Sequence, residues 1–134
     1  MGEHLRRVRL DRALSQRQAA EAIGCHATAL LHWEKGTAEP ELRFLPAILR
    51  FLGYDPRPAP RTFGGRIRAA REAEGLSARD LSRRLGLDPQ TLAAWETDAV
   101  PRPRPRIRRV FERYLARTVV GSSVAKEVRD GLAV

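Results

Sequence analysis

Apolar residues recur along this chain at helical spacing. Leu5, Val8 and Leu10 open a first stripe, and Ile67 and Ala70 open a later one. Ser15 and Ser77 read as N-caps, each followed three residues on by a polar side chain, Gln18 or Asp80, much as in a capping box. Ala19, Ala20 and Ile23 then form one apolar face, matched by Leu81 and Leu85, and Gly24 and Gly86 end these helices. A third helix is expected three residues further. Its start is well marked by Asp88 and Pro89 in one place and more weakly by His26 and Ala27 in the other. Both helices end just past a Trp-Glu pair. A fourth helix is expected from near Phe44–Leu45 to Leu52, with Pro46 tolerated in its first turn, and again from about Arg106 to Arg117.

The two sets of elements are copies. LSQRQAAEAIGCHATALLHWE (14–34) aligns without a gap on LSARDLSRRLGLDPQTLAAWE (76–96). Identities include Ser15/Ser77, Arg17/Arg79, Gly24/Gly86, Leu30/Leu92, Trp33/Trp95 and Glu34/Glu96, and upstream Gly2/Gly64, Arg6/Arg68 and Arg9/Arg71. Two copies make a poor solenoid, so two small tandem domains are expected. The Pro-rich stretch GYDPRPAPRT (53–62) reads as a stiff linker. The expected organisation is an all-α protein of two four-helix domains, 1–53 and 63–118, joined by 54–62 and followed by a tail, 119–134.

Charge narrows the partners. The formal net charge is +9, and a small basic domain usually meets a polyanion, nucleic acid first and an anionic membrane surface second. Of 25 cations, only Lys35 and Lys126 are lysine. Arginine binds phosphate and guanine in a bidentate way that lysine does not, although a GC-rich coding sequence explains the preference equally well. Residues 1–58 carry nine basic and seven acidic groups, net +2, whereas residues 59–118 carry fourteen and seven, net +7. Most of the phosphate-binding potential therefore sits in the second repeat.

A capped helix, a glycine-led tight turn and a second short helix form a helix-turn-helix pattern. LSQRQAAEAIG, WEKG and Pro40 in the first repeat, and LSARDLSRRLG and WETD in the second, resemble the phage repressor and Cro-like family, also called the xenobiotic-response-element family. The resemblance covers roughly residues 2–53 and 64–117 and implies two lambda-repressor-like domains. It implies that the third helix enters the major groove of double-stranded DNA, with base edges met by His26, Ala27, Thr28, Leu31 and His32, and in the second repeat by Asp88, Pro89, Gln90, Ala93 and Ala94. Leu31 is equally open to burial against the other repeat. By the same resemblance Gln16 donates to a phosphate from a helix N-terminus, where the second repeat has Ala78, and Arg17 and Arg79 serve phosphate beside it. Family members often pair an arginine of helix 1 with the glutamate ending helix 3, which here means Arg9 with Glu34 and Arg71 with Glu96, a structural role. Trp33 and Trp95 share a stripe with Leu30 and Leu92 and are expected in the core.

The loop that follows helix 3 runs along the DNA backbone in this family. In the second repeat it reads PRPRPRIRR, against AEPELRFLP in the first. Arg102, Arg104 and Arg106 are the expected phosphate contacts, stiffened by proline and pinned by Ile107 pointing into the core.

Other chemistry finds little support. Cys25, His26 and His32 lack metal-site spacing, and Cys25 replaces Leu87 of the other copy, as expected for a small packed residue. No nucleophilic set, phosphate loop or carboxylate pair suggests an enzyme, and no metal or cofactor is expected. One cysteine excludes an internal disulfide framework. No apolar stretch approaches the roughly 20 residues of a membrane span, and the chain reads as cytoplasmic. The tail suggests a short helix from Val124, capped by Ser123 and ended by Gly131. The expectation is a bacterial or phage-type transcriptional regulator, repressor-like, with both copies reading DNA or one serving as scaffold, and with a homodimer open. Two rival classes stand beside it: an antitoxin-like adaptor that binds a toxin and its own operator, and an RNA- or ribosome-associated factor.

Overall fold

The structure, a computed structural model, describes residues 1–100 and 102–132, with side chains through residue 118. Among the described residues it is all helical, with no strand. The helices are α1 (Gly2–Asp11), α2 (Gln16–Ile23), α3 (Ala27–Lys35), α4 (Leu45–Leu52), α5 (Phe63–Ala73), α6 (Ala78–Leu85), α7 (Pro89–Glu96) and α8 (Pro105–Leu132), with a 3-10 turn at Leu42–Phe44. The chain divides into two compact units: Met1–Ala59 together with Arg71–Ser77, and Pro60–Ala70 together with the chain from Ala78 onward.

In the first unit, Leu5, Ala19, Ala20, Ile23, Leu30, Trp33, Ile48, Phe51 and Leu52 are buried in one core. Local chemistry sets up the elements that supply them. The Ser15 hydroxyl accepts from the Gln18 amide (3.0 Å), and the Gln18 side chain accepts from the Ser15 amide (2.9 Å), so α2 begins in a complete capping box. Losing such a cap costs about 1 kcal/mol. Helix α1 lies so close to α3 that a Cβ at Gly2 would collide with the Trp33 carbonyl. The Trp33 and Phe44 rings pack with centroids 5.4 Å apart. Leu10 departs from the expected stripe and is 54% exposed. At 100° per residue it points well away from Leu5, whereas Val8 stays near it and packs on the core.

In the second unit, Ile67, Leu81, Leu92, Trp95, Phe111, Tyr114 and Leu115 are buried. Trp95 packs against Phe111 and Phe63, with centroids at 5.3 and 5.9 Å. The Arg108 guanidinium lies 4.4 Å over the Phe63 ring. Helix α7 begins at Pro89 with Asp88 as its cap, the carboxylate accepting from the Gln90 amide at 2.7 Å. Gly64 repeats the close approach of Gly2: a Cβ there would collide with the Trp95 carbonyl. The Gly64 amide donates to Asp98 at 3.0 Å.

The copies hold two loop positions in the same left-handed backbone with different residues. Gly36 (φ 75°) corresponds to Asp98 (φ 57°), and Ala13 (φ 55°) to Gly75 (φ 71°).

The C-terminal part differs from expectation. The anticipated break after Arg117 and the separate helix from Val124 are absent, and α8 runs without interruption from Pro105 to Leu132. No proline follows Pro105, and extending a formed helix is far easier than nucleating one, so Gly121, Ser122 and Ser123 are carried along. Among the described residues no helix is long and apolar enough to cross a membrane.

Candidate nucleic-acid interface

Each repeat presents a helix-turn-helix: α2, a turn from Gly24 to His26 and α3 in the first, and α6, a turn from Gly86 to Asp88 and α7 in the second. In the first repeat the turn closes when the Gly24 and Cys25 amides both donate to the Ala20 carbonyl, at 2.8 and 3.0 Å. Cys25 is half-buried against the core, and burial pushes its thiol pKa up, away from the reactive thiolate.

His26, Ala27, Thr28 and His32 are exposed along α3 and its cap, and Leu31 is half-buried. His32 is held in place by a residue that sequence reasoning missed. Its Nδ1 shares a 2.9 Å hydrogen bond with the Thr37 hydroxyl, which also lies 3.3 Å from the His32 carbonyl. Nε2 of the ring is left out of this bond. Threonine just after the Gly36 helix stop is the signal that would have found it. In the second repeat Ala99 stands where the first has Thr37, and the Thr97 hydroxyl donates back to the Ala93 and Ala94 carbonyls, at 2.9 and 3.3 Å. Asp88, Pro89, Gln90 and Ala93 are exposed, while Ala94 is half-buried.

Helix-2 N-termini differ between the copies. Gln16, half-buried, and Arg17, exposed, open α2, whose first turn carries no acid. Helix α6 opens with Ala78 and exposed Arg79 but carries Asp80 in its first turn. The positive end of the helix dipole is therefore less neutralised in the first repeat.

Arg102, Arg104 and Arg106 are exposed. No ion pair joins them, Arg17 or Arg79 to any described side chain. Arg102 and Arg104 both line a groove of about 250 Å³ beside α7. Ile107, expected to point into the core, is half-buried and lines the same groove. Pro105 starts α8 only two residues earlier, so Ile107 lies in the first turn, one helical turn short of buried Phe111.

Arg9 of α1 and Glu34 of α3 tie these two helices together. Arg9 Nε and Nη2 each donate to a different Glu34 carboxylate oxygen at 2.8 Å, and Nη1 donates to the Leu14 carbonyl at 3.1 Å. The bonds to Glu34 hold the Arg9 pKa above its ordinary value against the opposing effect of burial. In the second repeat, buried Arg71 makes the matching bond to the Leu76 carbonyl at 2.9 Å. Among the described residues no group of three or more His, Cys, Asp or Glu side chains is placed to hold a metal ion.

Two successive helix-turn-helix units, each with an exposed third helix and nearby arginines that pair with no described side chain, define a protein of the nucleic-acid-binding class. The chain matches the family described as "Helix-turn-helix domain" twice, over residues 1–61 and 62–119, and belongs to it. Comparison with curated proteins and with solved structures found no match. Helix-turn-helix domains are DNA-binding modules.

Proposed function

We propose that the chain is a sequence-specific, double-stranded-DNA-binding transcriptional regulator of the phage-repressor type. It acts by occupying an operator, in the manner of a repressor, without chemistry of its own. Residues 1–53 and 63–118 serve as the two DNA-binding domains, with 54–62 as linker. Helix α3 enters the major groove and presents Thr28 and His32 to base edges, with Ala27 and Leu31 available for thymine methyl groups. Gln90 plays the corresponding part on α7, where Asp88 caps the helix. Gln16 and Arg17 meet phosphate at the α2 N-terminus, and Arg79, Arg102, Arg104 and Arg106 do so in the second repeat. Arg9 with Glu34 holds the third helix on the first domain.

The observation that carries this reading is the exposed pair Thr28 and His32, one turn apart on α3, with His32 pre-oriented by Thr37. A recognition side chain fixed before binding loses less entropy on contact.

Selection of bound duplexes from a random pool, by the native chain and by Thr28→Ala/His32→Ala and Gln90→Ala variants, tests it. The native chain is expected to enrich one motif, and the α3 variant to lose part of it. If nothing is enriched at moderate salt, sequence-specific regulation is excluded.

A further inference from the structure

The groove beside α7 is more than a dent behind the arginine loop. Buried Trp95 lines it together with apolar Ala94, Val100 and Ile107, and exposed Arg102 and Arg104 line it from the loop. Among the described residues no carboxylate lines it. The nearby Asp98 is turned to the Gly64 amide, 3.0 Å from its Oδ1. An apolar slot carrying two cations that form no ion pair with any described side chain is complementary to one chemical class: an anion with an apolar body.

We propose that this groove binds a small apolar monocarboxylate, an aryl- or branched-alkyl acid. Its size suits a single ring or a short branched chain, since about 250 Å³ falls just below the roughly 300–1,000 Å³ of pockets for drug-sized ligands. The apolar body lies against Trp95 and Ile107, where an aromatic ring gains offset or edge contacts with the indole. The carboxylate faces Arg102 and Arg104, whose forked donors match its two oxygens. Thr91, one helical turn before Trp95 and also on the groove wall, offers a hydroxyl to the ligand. The consequence for regulation rests on the DNA-binding reading above. The acid occupies two arginines assigned to phosphate and sits against α7, so acid and DNA compete, and binding of either weakens the other by the same factor.

The acid-binding step is tested without DNA. Sodium phenylacetate is titrated into the full native chain and followed by amide and indole NMR, with sodium chloride as the matched control. Saturable shifts are expected at the Trp95 indole and the Val100, Arg102 and Ile107 amides, with a Kd on the order of 1 mM or tighter, while the Trp33 indole stays still. Phenylacetamide, of the same shape without the charge, is expected to bind roughly tenfold more weakly, and Arg102→Ala/Arg104→Ala to bring phenylacetate down to that level. No saturable shift by about 10 mM, equal binding of the amide, or shifts spread over arginines elsewhere on the chain would overturn the site. In a second arm the acid is added to the chain bound to its selected duplex. Loosened DNA binding in the native chain but not in the double variant supports competition, and unchanged DNA affinity overturns it while leaving the site standing. A chain that binds the acid and no duplex at all refutes the regulator and not the site.

Discussion

Arg9 and Glu34 face each other across 25 residues of sequence in a two-pronged ion pair, both bonds 2.8 Å long. Their side chains are 11% and 3% exposed. Removing one partner leaves a charge stranded in a small core. Glu34→Ala is expected to destabilise the chain by about 3 kcal/mol, read as a lower midpoint in urea unfolding. The joint change Arg9→Met/Glu34→Leu removes both charges and keeps apolar volume, and is expected to recover most of that loss. A Glu34→Ala variant as stable as the native chain would refute the role.

The arginine loop makes a quantitative claim about salt. Each phosphate contact contributes about 0.9 to the slope of log affinity against log salt on duplex DNA. Replacing Arg102, Arg104 and Arg106 by alanine is expected to flatten the slope by roughly 2–3 with the preferred motif unchanged. Binding isotherms at four salt concentrations suffice, and an unaltered slope would remove these residues from the interface.

Asp55 adds a pH dependence. Burial pushes its carboxyl up, but side-chain and backbone bonds from Arg57, as close as 2.8 Å, outweigh it and leave the pKa below the ordinary aspartate value. Ionised Asp55 therefore favours the folded state above its unfolded value of about 3.9, and this stability is lost as pH falls through the lower folded value. Urea midpoints measured from about pH 6 to about pH 2 are expected to fall less steeply for Asp55→Asn than for the native chain. Parallel curves would show that the bonds to Arg57 do not favour the folded state.

Gly64 tests the closeness of helix packing. Its missing side chain leaves room for the Trp95 carbonyl, and Gly64→Ala has to push α5 off α7. A loss of about 1–3 kcal/mol is expected in denaturant unfolding, against near neutrality for an alanine placed at exposed Arg66 of the same helix.

Much of this was readable from the residues, for a physical reason. Short-range rules act within a few positions, so Ser15 with Gln18, Asp88 with Pro89, and the buried stripe through Leu30 and Trp33 announce their helices directly. Duplication carried the long-range information: the identities Gly2/Gly64 and Arg9/Arg71 flagged positions whose reasons, a tight helix crossing and a buried guanidinium, appear only in three dimensions. Contacts without a partner in the other copy stayed hidden. Thr37 beneath His32 is one. The triad of His4, Arg7 and Tyr54 is another: the Tyr54 hydroxyl accepts from Arg7 at 3.0 Å and lies 2.7 Å from His4, across 50 residues. The length of α8 was missed because Gly121 and Ser122 look like a stop in isolation and not when a helix arrives already formed.

The two left-handed loop positions mean that the family's turn is inherited as a torsion angle and not as a residue type. Where the first copy keeps Gly36, the second holds Asp98 in nearly the same conformation, its carboxylate tethering Gly64. Where the second keeps Gly75, the first strains Ala13 at φ 55°. Each repeat is thus a natural variant library for its sister, with substitutions already trialled on the same backbone. Transplanting the sister's choice, Ala13→Gly, is expected to raise the thermal midpoint through a gain of up to about 1 kcal/mol, whereas Asp98→Gly exchanges relief of strain for a lost tether and is expected to gain less.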